Sequence, residues 1–164
     1  LDVGILREVE PVDVLLWVGC SPSYDARMRR VLSDLVGVLR LAKVSFAILG
    51  DEENCTGEAA RRAGNEYLFL QLAEKNIATL NRYRAQGRFR RIVTICPHCL
   101  NTIRSEYPAL GGSYDVVPHT ELLLELVEAG RIQLTAAAEL DLEQIWQLVD
   151  ELIEAHGDWL PAYH

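Results

Sequence analysis

Nothing in this 164-residue chain is long and apolar enough to cross a bilayer, because no hydrophobic run reaches the roughly 18 residues a spanning helix requires. Leu1 to Glu10 likewise carries neither a basic leader nor a long hydrophobic stretch, so the chain reads as soluble, with no membrane span of its own. Positive charge is also scarce: sixteen Lys and Arg stand against twenty-four Asp and Glu, a net charge of −8. Such a balance repels a polyphosphate backbone, which excludes nucleic acid as the expected partner. Neither GxGxxG nor GxxxxGK[ST] occurs, so Gly57 is not part of a phosphate loop and reads instead as a tight backbone position near Cys55. Internal repeats and low-complexity stretches are missing too.

What is present is an ordinary globular balance, 49% hydrophobic and 24% charged, enough for one well-buried core. The charge is uneven, since residues 115–164 hold eleven acids and a single base, Arg131. That asymmetry fits either a solvated acidic face or a surface that orients a partner. The arginines 82, 84, 88, 90 and 91 offer the same choice between a solvated helix end and a dock for an acidic carrier.

Short apolar runs alternate with helical patterns along the chain. Val12 to Val18, Val44 to Leu49, Arg91 to Ile95 and Tyr114 to Val117 are expected as strands. Tyr24 to Leu41, Glu58 to Gln86, Leu100 to Tyr107 and Glu121 to Ala129 are expected as helices, with Gly87 and Gly130 as stops and Thr120 as a cap. The long second helix should carry Ala63, Tyr67, Leu70, Ala73, Ile77 and Leu80 on one stripe. Strand and helix in alternation imply right-handed crossovers, hence an α/β fold with a mostly parallel four-stranded sheet and helices on both faces. This domain is expected over residues 1–132. Residues 133–164 form an extension in which Asp141 to Ala155 is a C-terminal amphipathic helix, either covering the domain or docking a partner through Trp146 and Trp159.

Four cysteines could form two disulfides, but a chain with this much core has no need of such staples, and Cys96-Pro97-His98-Cys99 suits a metal or redox site in a reducing cytoplasm. Cys20 follows the first expected strand, Cys55 lies in the loop after the second, and Cys96 and Cys99 follow the third. Ligands of open α/β sheets bind outside the carboxyl ends of the strands, so topology gathers these four thiols at one edge. Helix amino termini meet there and favour anionic sulfur. Four thiolates suit a [4Fe–4S] cluster and tetrahedral zinc equally, and spacing does not separate the two. A thioredoxin-like site would use only two of them, leaving Cys20 and Cys55 unexplained. His119, on the same edge, is either a donor to sulfur, a proton relay or a ligand, or else a plain surface or cap residue. His98, inside the CxxC turn, is expected to shape or shield the pocket.

The segments Trp17-Val18-Gly19-Cys20, Glu53-Asn54-Cys55-Thr56-Gly57-Glu58-Ala59-Ala60-Arg61-Arg62-Ala63-Gly64-Asn65-Glu66-Tyr67 and Ile92-Val93-Thr94-Ile95-Cys96-Pro97-His98-Cys99 occur in that order. Together with Pro118-His119-Thr120-Glu121-Leu122-Leu123, they give residues 12–132 a pattern that resembles the cysteine-rich CCG domain of the heterodisulfide reductase B subunit and related iron–sulfur oxidoreductases. The resemblance implies an iron–sulfur site, and electron transfer among redox subunits that are flavoprotein, ferredoxin-like or quinone-linked, in a cytoplasmic or membrane-associated complex. It also implies supporting roles for Arg61, Arg62, Asn65 and Glu66 around the site, against which stands plain surface salt bridging. Thr56 occupies the position of the family's usual paired cysteine, which leaves four thiolates, enough for a cubane but not for a five-cysteine noncubane cluster. The second motif copy common in the family does not follow Ile132. The expectation is therefore an electron-transfer subunit with one cluster on Cys20, Cys55, Cys96 and Cys99; the alternative is a structural zinc module.

Overall fold

A computed structural model describes residues 3–133. The expected helix over Asp141–Ala155, and the extension it belongs to, lie outside the described residues. Four strands, β1 (Val12–Trp17), β2 (Phe46–Ala47), β3 (Phe89–Thr94) and β4 (Val116–Pro118), form one sheet in the order β2-β1-β3-β4, with every pairing parallel. Between them run α1 (Ser21–Tyr24), α2 (Ala26–Leu41), α3 (Glu58–Arg62), α4 (Glu66–Ala85) and α5 (Pro97–Asn101), and α6 (His119–Glu128) follows β4. The α/β class and its parallel sheet are thus as the alternation of patterns requires.

Both faces of the sheet are buried, and the pleat divides the strand residues between them. Leu15 and Trp17 of β1, Ile92 of β3 and Val116 of β4 pack with Phe69, Ala73, Ile77, Leu80 and Tyr83 of α4. Val14, Leu16, Val93 and Val117 alternate with them and meet Leu32, Leu35, Val36 and Leu39 of α2 and Leu122 and Leu126 of α6. Each buried aliphatic side chain of this kind contributes about 1.5–3 kcal/mol relative to exposure. The strands that carry the cysteine loops are therefore fixed from two sides.

Local chemistry revises several expected boundaries. The first expected helix starts two residues late, as α2, because the Asp25 carboxylate accepts from the N–H groups of Arg27 (2.7 Å) and Met28, and the separate short helix α1 precedes it. The long helix is also broken: Gly64 sits at φ +79°, and the Asn65 side chain caps α4 by accepting from Leu68 N–H. The restart rotates the buried stripe, so Tyr67 is 73% exposed and Phe69 takes the inward place. After α5 the backbone widens into a π turn (Thr102–Glu106) and tightens into a 3₁₀ turn (Tyr107–Leu110), where one helix over Leu100–Tyr107 was expected. Thr120 does not cap α6, which begins at His119 directly after Pro118 with no side-chain cap. β2 is shorter than its apolar run, and its exposed edge is closed by the N-terminal segment, where Ile48 N–H donates to Gly4 O (3.0 Å) and Leu6 N–H to Ile48 O (2.8 Å). Among the described residues no helix is long and apolar enough to span a membrane.

Candidate metal centre

The order β2-β1-β3 makes the loops that follow these strands neighbours at the carboxyl edge of the sheet. Cys20 lies just beyond β1 and is exposed, as is Cys55 in the loop beyond β2. Cys96 is half-buried at the end of β3, and Cys99, on α5, is 4% exposed among the core residues of the α4 side. The β1 loop runs against the CxxC turn: a Cβ added to Gly19, whose φ is +76°, would lie 3.5 Å from Cys99 Sγ. Burial pushes the Cys20 thiol up, and the sulfurs of Cys55 and Cys96 push it further, so three chain segments share one electrostatic neighbourhood. As the chain stands, no group of three or more His, Cys, Asp and Glu among the described residues is arranged around a single metal-ion position. The donor set itself, four sulfurs with amide and hydroxyl donors around them, has the chemistry of an iron–sulfur or zinc-thiolate centre.

Those donors come from identifiable groups. Cys96 is pulled down because Cys99 donates its S–H to it and because the backbone N–H groups of Cys99 and His98 and the His98 ring face it. Cys99 moves the opposite way, raised by that same shared hydrogen bond and by burial, with the Thr56 hydroxyl acting against the rise. Thr56 Oγ1 donates to Cys99 Sγ at 3.8 Å, and Gly57 N–H donates to Cys55 Sγ at 3.5 Å. Gly57 cannot be replaced without movement, since at φ +87° a Cβ would stand 3.0 Å from Phe69 Cδ2 and 3.2 Å from Phe69 Cα and O.

Three further residues shape the site and were not singled out from the sequence. Glu53 accepts from the N–H groups of Val18 (3.0 Å) and Gly19 (2.6 Å), which binds the Cys55 loop to the Cys20 loop. Its burial raises its pKa to about 7 against the pull of those two amides. Asn76, fully buried on α4, accepts from Asn54 N–H (3.2 Å), and the two hydrogens of its Nδ2 are shared among three acceptors, the carbonyls of Asn54 (3.3 Å) and Cys55 (3.0 Å) and the Tyr107 hydroxyl (3.1 Å). Tyr107, also fully buried, passes the chain of bonds on by donating to Thr56 O at 3.1 Å. The sequence did carry a signal for Asn76, which is the one polar residue on the buried stripe Ala73–Asn76–Ile77–Leu80.

The remaining expected residues divide. His98 stands beside Cys96 as described. His119 is half-buried, with a buried Nδ1 that has no hydrogen-bond partner, and it lines a cavity of about 200 Å³ together with Cys96, Pro97 and Leu100. Arg61 pairs with Glu66 at 3.4 Å and with Glu106 at 3.0 Å, and its guanidinium lies 4.7 Å from the centre of the Phe69 ring. Arg62 pairs with Glu58 at 2.8 Å. The Arg61 contacts tie α3 to its surroundings, the Arg62 pair lies within α3, and Asn65 serves as a helix cap.

Comparison with known proteins bears on this geometry. Residues 14–104 match the family model of the CCG cysteine-rich domain. The chain is 42% identical over 121 residues to an EtfAB:quinone oxidoreductase of Syntrophomonas wolfei, covering 74% of this chain and 16% of that protein. It is 42% identical over 127 residues to a probable iron-sulfur-binding oxidoreductase of Bacillus subtilis, covering 77% of this chain and 17% of that one. A component of the dihydromethanophenazine:CoB–CoM heterodisulfide reductase of Methanosarcina barkeri is 25% identical over 130 residues, covering 76% of this chain and 30% of its own length. The chain therefore spans less than a third of each of these relatives. No solved structure matches it significantly. With its four cysteines on the carboxyl edge of a parallel sheet and the family model matched over most of that domain, the chain belongs to the CCG family of cysteine-rich domains.

Proposed function

We propose that this chain is an electron-transfer module of a larger iron–sulfur oxidoreductase, and that Cys20, Cys55, Cys96 and Cys99 together hold one cluster, with [4Fe–4S] preferred over zinc. The observation that carries this reading is the delivery of four thiols by three adjacent parallel strand ends. The names of the relatives support it, since they denote oxidoreductases that bind iron–sulfur groups or act on quinone and heterodisulfide.

A bound cluster supplies reversible one-electron storage. The chain's own part is to hold and bias it. Loop positions are set by Glu53 and Asn76, while the N–H groups of His98, Cys99 and Gly57 and the Thr56 hydroxyl face the sulfurs and favour their negative charge. Exposure of Cys20 and Cys55 leaves one side of the site open toward a redox partner, a flavoprotein, a ferredoxin-like protein or a quinone-linked protein. Attachment to a membrane-associated complex belongs to the same proposal.

The test is an anaerobic redox titration of the chain followed by electron paramagnetic resonance. A single one-electron wave that disappears when iron is chelated is the expected result. A metal-loaded chain that accepts no electron from dithionite would move it to the zinc-stapled class.

A further inference from the structure

Thr56 is 1% exposed, and its hydroxyl is placed against Cys99 Sγ at 3.8 Å, in the apolar surroundings where Cys99 itself is 4% exposed. A buried hydroxyl aimed at sulfur is a charge-assisted donor once that sulfur is a thiolate, and the low local dielectric strengthens the bond. The backbone that carries it is held in place. The Thr56 carbonyl receives the Tyr107 hydroxyl at 3.1 Å, Tyr107 receives Asn76 at 3.1 Å, and Asn76 also holds Asn54 and Cys55. On the other side, the adjacent Gly57 turns at φ +87° against Phe69. The loop is thus locked on both sides of the threonine, and valine, the same shape without the hydroxyl, would fill the same space.

From this geometry we infer that Thr56, on a loop backbone held by Asn76 and Tyr107, is a positioning residue of the metal centre whose hydroxyl donates to the Cys99 sulfur and sets the centre's reduction potential. The inference rests on the reading of the site as an iron–sulfur centre. An electron passed to a bound cluster by a redox partner, or by dithionite in the test, would place much of its charge on the sulfurs, so a donor to sulfur would stabilise the reduced form more than the oxidised one and raise the potential. Both protonation and ligation are unchanged in this step. The hydroxyl keeps its proton throughout.

The experiment compares wild type, Thr56→Val and Thr56→Ser, each purified anaerobically, analysed for iron, sulfide and zinc, and titrated for its midpoint potential. Thr56→Val should hold the same iron and sulfide but shift the ratio of reduced to oxidised centre about tenfold toward oxidised at fixed ambient potential, a fall of about 59 mV for a one-electron couple. Thr56→Ser should stay near the wild-type midpoint. If Thr56→Val fails to load while Thr56→Ser loads, the hydroxyl serves assembly of the centre rather than its potential, and the inference falls. Equal midpoints in all three variants at full iron and sulfide would overturn the inference and leave the iron–sulfur reading intact, as would a shift of equal size in the serine and valine variants. Failure of both variants to load would assign Thr56 to packing and overturn it as well. Zinc without sulfide in the wild type would remove the underlying reading itself, and the inference with it.

Discussion

Replacing Cys99 by serine should empty the metal centre, leaving less than about a tenth of the wild-type iron and sulfide per chain, because serine oxygen is a poor substitute for thiolate sulfur at such a centre. The other three cysteines sit in half-buried or exposed loops, but Cys99 stands on α5, 4% exposed, with the Thr56 hydroxyl at 3.8 Å and the β1 loop against it at Gly19. Water has little access to replace the lost ligand there. The apo protein should keep its fold, since the change swaps one small side chain for another, at a cost of about 1–3 kcal/mol for a hydroxyl in an apolar site. Iron and sulfide assays, together with circular dichroism of the same samples, check both halves of the expectation. A Cys99→Ser chain that retains full iron would remove Cys99 from the ligand set.

The second large effect is expected at Asn76, whose side chain bonds the backbone of Cys55 and no cysteine sulfur. Asn76→Leu preserves size and burial but deprives Asn54 N–H, the Asn54 and Cys55 carbonyls and the Tyr107 hydroxyl of their partner. Leaving a buried polar group unpaired costs about 1–3 kcal/mol, and the partly buried loop carbonyls recover some of that through water. A net loss of about 3 kcal/mol in urea unfolding of the apo chain is the expected result. Tyr107→Phe, which breaks only the bonds through the hydroxyl, should cost about 1–2 kcal/mol. The same Asn76 variant should also lose iron faster than wild type under chelator challenge, because the carbonyl it releases is that of Cys55 itself. An unfolding free energy within about 0.5 kcal/mol of wild type, the range of an ordinary surface change, would show that the network carries no load.

The contrast between these two residues marks what could be read from the chain. Cys99 was legible because a short apolar run, a turn and a CxxC spacing are local signals, and a parallel sheet then brings separate strand ends together whatever lies between them. The partners of Asn76 and Tyr107 were not, because they lie 21 to 51 positions away; periodicity marks Asn76 only as a polar residue on a buried stripe. Glu53 belongs with them, joined to Val18 and Gly19 across 35 and 34 positions. Element boundaries failed where a single residue changed the backbone: Asn65 after the left-handed Gly64 restarted a helix that an unbroken apolar stripe had made look continuous. The π turn at Thr102–Glu106 has no sequence mark either, yet it delivers Tyr107 to the core. Arg61 and Glu66 carried two readings from the sequence, and the contacts the structure gives Arg61 are ion pairs with Glu66 and Glu106 and the ring of Phe69.

Everything proposed for this chain depends on one centre held by Cys20, Cys55, Cys96 and Cys99, and elemental analysis of the anaerobically purified chain tests it most directly. About four irons and four inorganic sulfides per chain, with zinc well below one, is the composition such a centre requires. One zinc per chain with no sulfide would contradict it.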